Sequence, residues 1–147
     1  MNNYAMNNYA MKRKRTMNQE LAPSVTHAVT GKVCLVTGAS RTLGATIART
    51  LAAYGAQVAV NYHQAQTAAE TLCAELTAMG RKAVAIGSDV TEPTQVARLV
   101  AATEAQLGAI SILVNNVGPY VDTPFLDLSL ADFDHVLAGN LRATFLL

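Results

Sequence analysis

The 147 residues suffice for one domain or part of one, and a composition of 51% hydrophobic and 14% charged residues is apolar enough to bury a core. A net charge of +1 gives no global basis for binding nucleic acid or an anionic membrane. No apolar run approaches the ~18 residues a membrane helix needs, and the N-terminus lacks an apolar signal segment, so a cytoplasmic protein is expected.

Residues 1–10 are the pentapeptide Met-Asn-Asn-Tyr-Ala written twice, and the basic run Lys12–Arg15 follows. This polar, unpatterned stretch is expected to be a disordered tail up to about Thr30. Translation begun upstream of the true start explains it equally well, with Met11 and Met17 as alternative starts. The basic run is read as solvated tail rather than as a nucleic-acid patch.

From Gly31 the pattern becomes regular. Residues 32–37 (KVCLVT) form a short apolar run ending at a glycine turn, which predicts a buried strand. An Ala/Leu/Ile stretch over 43–54 predicts a helix stopped by Gly55. Residues 57–62 (QVAVNY) predict a second strand. Over 67–79, Ala68, Ala69, Leu72, Leu76 and Met79 share one helical face, and Gly80 ends it. Residues 82–87 (KAVAIG) predict a third strand. Thr91 is the expected N-cap of a helix whose first turn holds Glu92 and Pro93. Its inner face carries Val96, Leu99, Val100 and Thr103, and Gly108 closes it. Residues 110–115 (ISILVN) predict a fourth strand. Ser129 and Asp132 approximate a capping box opening a helix that runs from about Leu130 to Leu147.

Non-alternating strands separated by helices predict an α/β fold, a Rossmann-type doubly wound parallel sheet truncated after the fourth strand and following helix. Cys34 and Cys73 fall among apolar neighbours and are expected to be small buried hydrophobes.

The chemistry concentrates after the first strand, in Thr37-Gly38-Ala39-Ser40-Arg41-Thr42-Leu43-Gly44. A diphosphate needs backbone N–H groups aimed at it with no Cβ in the way, and a helix N-terminus adds partial positive charge. Gly38 allows the sharp exit from the strand, and Gly44 lets the helix sit close to the sheet. Ser40 can hydrogen-bond a phosphate or ribose oxygen, and Arg41 can meet a phosphate with a fork of donors. The turn is therefore a candidate cofactor cradle running from Gly38 through Leu43 to Gly44.

The spacing Thr-Gly-x-x-x-x-x-Gly resembles the turn of the short-chain dehydrogenase/reductase family, usually Thr-Gly-x-x-x-Gly-x-Gly. Three further elements carry the resemblance. Asp89-Val90 follows the third strand, where the family's acid and its neighbour contact the adenine. Asn115-Asn116-Val117-Gly118 follows the fourth and is similar to the family's Asn-Asn-Ala-Gly. Asn140 sits in the next helix like the family's catalytic-site asparagine. The likeness covers about Gly31 to Leu147, and its style is that of 3-oxoacyl-carrier-protein reductases and similar NADPH-dependent carbonyl reductases. It implies a small-molecule carbonyl or alcohol substrate and a homo-oligomer for the complete protein. Thr42 departs from the family's middle glycine, and Val117 from its alanine.

The second strand ends in Asn61-Tyr62-His63, where an NAD enzyme has an acid gripping the ribose 2′-hydroxyl. Neutral Asn61 does not repel a 2′-phosphate, and Arg41 and His63 can add charge, so NADP(H) is expected over NAD(H). The family's Tyr-x-x-x-Lys pair, which supplies the proton and binds the nicotinamide ribose, is absent from these 147 residues, as is its serine's strand. Of the implied catalytic set only Asn140 is present. Two expectations follow: the N-terminal part of a carbonyl reductase, without turnover by itself, or a nucleotide-binding remnant that catalyses nothing. An epimerase-like Rossmann protein is a weaker third. The fourth strand is expected to be an exposed apolar edge, with Phe133, Val136, Leu137, Phe145, Leu146 and Leu147 partly uncovered, making the polypeptide poorly soluble or marginally folded. Residues 119–128 are a candidate substrate wall.

Overall fold

The computed structural model describes residues 28–147; the expected tail lies mostly outside them. Four strands, β1 (Val33–Val36), β2 (Gln57–Tyr62), β3 (Ala83–Gly87) and β4 (Ile110–Val114), make one sheet in the order β3-β2-β1-β4. All three pairings are parallel, as expected for strands joined through helices. The crossovers are α1 (Thr42–Ala53), α2 (Gln66–Ala78) and α3 (Pro93–Leu107). After β4 come a single 3₁₀ turn (Phe125–Asp127), α4 (Leu130–Leu137), a π-helical turn (Ala138–Arg142) and α5 (Ala143–Leu146).

The period of two along each strand divides the core. Cys34, Val36, Val58 and Val60 face one side, where Ala45, Ala48 and Ala52 of α1 and Ala69, Leu72 and Leu76 of α2 cover them. Leu35 and Ala59 face the other, against Val96 and Leu99 of α3 and Ala143 of α5. The alanines let α1 lie close to the sheet, while each buried leucine contributes roughly 1.5–3 kcal/mol through the water it leaves. Cys34 is fully buried and Cys73 half-buried, as expected. Burial raises the Cys34 thiol pKa, and burial together with the Glu70 charge pushes Cys73 up to about 11, so both stay protonated at neutral pH.

Glycine stops at Gly55, Gly80 and Gly108 all have positive φ, as a left-handed C-terminal exit requires. Three expectations change. Thr91 is not the N-cap of α3: Glu92 is, because Pro93 fixes the first helical residue and the Thr91 hydroxyl is taken by Asp89 at 2.7 Å. Met79 is the C-cap of α2 rather than part of its buried face, and is 47% exposed. The last helix runs from Leu130 to Leu146 but is not uniformly α-helical. Ser129 caps its start, accepting from the Asp132 N–H at 3.1 Å, but the chain widens into the π turn around Asn140.

β4 lies at one margin of the sheet, with Leu113 38% exposed. On the last helical segment Phe133, Leu137 and Phe145 are exposed, whereas Val136, Leu146 and Leu147 are half-buried, and Leu146 and Leu147 pack against the second core. Leu141, absent from the expected set, is exposed too.

Candidate functional site

The loops at the carboxyl ends of the strands surround the turn between β1 and α1. The turn is suspended between two asparagines. From the β4 side, the Asn116 side-chain amide donates to the carbonyls of Thr37 and Gly38, and its backbone N–H donates to Thr37 Oγ1 at 3.0 Å. From the β2 side, Asn61 Oδ1 accepts from Gly38 N–H at 3.2 Å and the Asn61 carbonyl accepts from Ala39 N–H at 2.8 Å.

Both glycines are required by geometry. Gly38 has φ +58°, and a Cβ there meets Val117 Cγ2 at 3.0 Å. A Cβ on Gly44 meets Gly38 O at 2.6 Å and Ala39 Cα at 2.9 Å, backbone that cannot swing aside. The first turn of α1 has no side-chain cap and no acid, so its N–H groups are left for an anion. In front lies an open groove of about 560 Å³, lined by Gly38, Ser40, Arg41, Thr42, Leu43, His63, Gln64, Ala65, Asn116 and Val117. No lining residue is a carboxylate, and Arg41 and His63 are both exposed.

The other expected residues lie elsewhere. Gly44 is buried beneath the turn. Asn61 does not face the groove: it is 1% exposed, and its amide donates to the carbonyls of Tyr62, Ile86 and Ser88. With Oδ1 also engaged, it ties β2 to the turn and to β3, and its side chain is not free to grip a ribose. Tyr62 packs its ring over Gly87. Val90 buries its side chain in the second core.

Asp89 sits beside the groove with Oδ2 3.9 Å from His63 Nε2. Burial raises its pKa, but hydrogen bonds from the Thr91 N–H and hydroxyl, with His63 nearby, outweigh that and hold it below the ordinary carboxylate value. Gly118, in the loop after β4, lies against Asn140 of the π turn, and a Cβ on Gly118 meets Asn140 Oδ1 at 2.9 Å. The Asn140 amide donates to Pro119 O at 2.8 Å and Val136 O at 2.9 Å, tying the π turn to that loop. Gly139 allows the approach, since any Cβ there overlaps the Pro119 ring. Gln64 and Ala65 were missed by motif reasoning. Their position, directly after the strand beside β1 in a parallel sheet, is the signal that finds them.

A model of the short chain dehydrogenase family matches residues 32–147. The chain belongs to the short-chain dehydrogenase family. It is 42% identical over 119 residues to a 3-oxoacyl-[acyl-carrier-protein] reductase of Synechocystis sp., covering 81% of this chain and 48% of the relative. Versicolorin reductase 1 of Aspergillus parasiticus is 40% identical over 119 residues, 81% of this chain and 45% of that protein. The chain thus spans about half the length of these curated relatives. Among solved structures, a blue fluorescent protein from a metagenomic library in complex with NADPH has a TM-score of 0.76 at 41% identity, over 80% of this chain and 49% of that one. A short chain dehydrogenase from Burkholderia cenocepacia in complex with NADP gives 0.76 at 41%, over 80% and 48%. These similarities establish the Rossmann-like sheet and the oxidoreductase family for this chain.

Proposed function

We propose that residues 31–147 form the nucleotide half of an NADP(H)-dependent oxidoreductase that interconverts a carbonyl and an alcohol. The carrying observation is the groove at the carboxyl ends of β1 and β2: the uncapped, acid-free first turn of α1 leaves backbone N–H groups for a diphosphate, Arg41 and His63 flank them, and no carboxylate lines the groove. NADP(H) bound there supplies hydride to the carbonyl carbon or takes it from the alcohol. The chain's own part is to hold the diphosphate at the start of α1 and the 2′-phosphate near Arg41. Asn61 supports this indirectly: locked in the fold, it leaves the end of β2 without an acid. The NADPH and NADP in the two solved relatives support the same cofactor.

Gly118 and Asn140 are assigned to the wall beyond the groove, where Asn140 positions the Pro119 loop. Catalysis by this segment alone is not expected, because its 147 residues hold no Tyr-x-x-x-Lys. A small-molecule carbonyl or alcohol, a homo-oligomer and a reducing, cytoplasmic setting are proposed for the whole protein; among the described residues no helix is long and apolar enough to cross a membrane.

Fluorescence titration with NADPH and NADH tests this. NADPH is expected to bind at least threefold tighter, and Arg41→Ala to remove most of that margin while leaving NADH unchanged. Equal or tighter NADH binding overturns the preference. NADPH oxidation by the 147-residue chain with any carbonyl substrate overturns the assignment of the missing chemistry.

A further inference from the structure

Thr42 has a backbone that its side chain does not suit. Among the described residues it is the only non-glycine with positive φ, at 47°; Gly31, Gly38, Gly55, Gly80 and Gly108 fill the other such positions. In the left-handed region a Cβ crowds the neighbouring carbonyl, and a β-branched residue suffers most. The strain falls at the first residue of α1, directly after Arg41, which is extended at φ −148° and ψ 169°. The Thr42 side chain is exposed and lines the groove beside Ser40 and Arg41. Among the described residues its hydroxyl makes no hydrogen bond that offsets the strain.

We propose that Thr42 sets the nucleotide affinity of the turn, holding it below the value the same backbone reaches with glycine. Two effects act in one direction. The branched side chain narrows the approach to the N–H groups at the start of α1. The strain also lets the free turn leave its binding conformation, and a ligand must then restore it, which lowers apparent affinity by the fraction of competent molecules. This inference rests on the nucleotide assignment of the groove, and it concerns the diphosphate rather than the 2′-phosphate.

The test compares the wild-type chain with Thr42→Gly and Thr42→Ala. Calorimetric titration uses NADPH, ADP-ribose, which carries the diphosphate, and adenosine 2′-monophosphate, which does not. Thr42→Gly is expected to bind NADPH and ADP-ribose at least fivefold tighter with adenosine 2′-monophosphate unchanged. Its ligand-free thermal midpoint should rise by a few degrees, the gain being limited by the greater freedom of glycine in the unfolded chain. Thr42→Ala, which keeps a Cβ in the left-handed region, should fall between. Wild-type binding of NADPH with no gain in Thr42→Gly overturns the inference and leaves the nucleotide assignment standing. An equal gain for adenosine 2′-monophosphate indicates general stabilisation and also overturns it. No binding of any probe by either protein overturns both.

Discussion

The side-chain amide of Asn116 donates to two consecutive carbonyls, Thr37 O at 2.9 Å and Gly38 O at 3.1 Å, so the end of β4 holds the turn that ends β1. Both carbonyls lose a partner in Asn116→Ala. An orphaned, partly buried acceptor costs about 1–3 kcal/mol. Urea denaturation is expected to show a loss in that range, together with weaker NADPH binding because the turn is no longer fixed. A midpoint within error of wild type removes Asn116 from this role.

Gly44 answers a packing question. A Cβ there lies 2.6 Å from Gly38 O, so Gly44→Ala must push α1 away from the turn. The expected cost is about 3 kcal/mol or more, at the upper end for overpacking. Gly80→Ala provides the scale: its surroundings are open and only its φ of +77° resists, which costs about 1 kcal/mol. Reversal of that order in denaturant midpoints contradicts the close approach.

Asp89 links stability to pH. Its folded-state pKa is depressed, so ionised Asp89 contributes stability above the unfolded value, and that contribution disappears as pH falls through the folded one. Wild type should exceed Asp89→Asn by about 1 kcal/mol at pH 7, a small figure because the carboxylate is partly solvated. The difference should shrink from about pH 4 downward. Paired melts from pH 3 to pH 7 check it, and a difference independent of pH counts against the Thr91 hydrogen bonds.

The last helical segment presents an apolar surface. Leu141 is 67% and Phe145 86% exposed, and with Leu137 they line an open groove of about 740 Å³. Contiguous apolar area of this kind drives association. Leu141→Glu with Phe145→Glu is expected to raise the soluble fraction and lower the sedimentation-average mass, with NADPH affinity unchanged. Unaltered self-association shows that another surface is responsible, β4 being the first to examine.

The element order was legible in residues 31–147 because period and glycine stops act locally. β2 was placed with both ends right, and each helix that stops at a glycine was found. Errors arose where a side chain had two possible partners. The Thr91 hydroxyl suits an N-cap, but Asp89 claims it. Asn61 stands at a cofactor-facing place in the motif, yet three backbone carbonyls and the Gly38 N–H surround it. The π turn was invisible because its support, Pro119 O, comes from a loop 21 residues away.

By itself the sequence determined that a glycine turn follows the first strand, that Gly38 and Gly44 belong there, and that no acid ends the second strand. These are properties of residue type and spacing along one stretch of chain. Only the tertiary structure decided which residues face the groove. It put Asn61 and Val90 inside, added Gln64 and Ala65, and gave Thr42 a left-handed backbone. The reason is physical: a side chain's partners are set by which strands lie side by side, and β4 returns beside β1 only after nearly eighty residues.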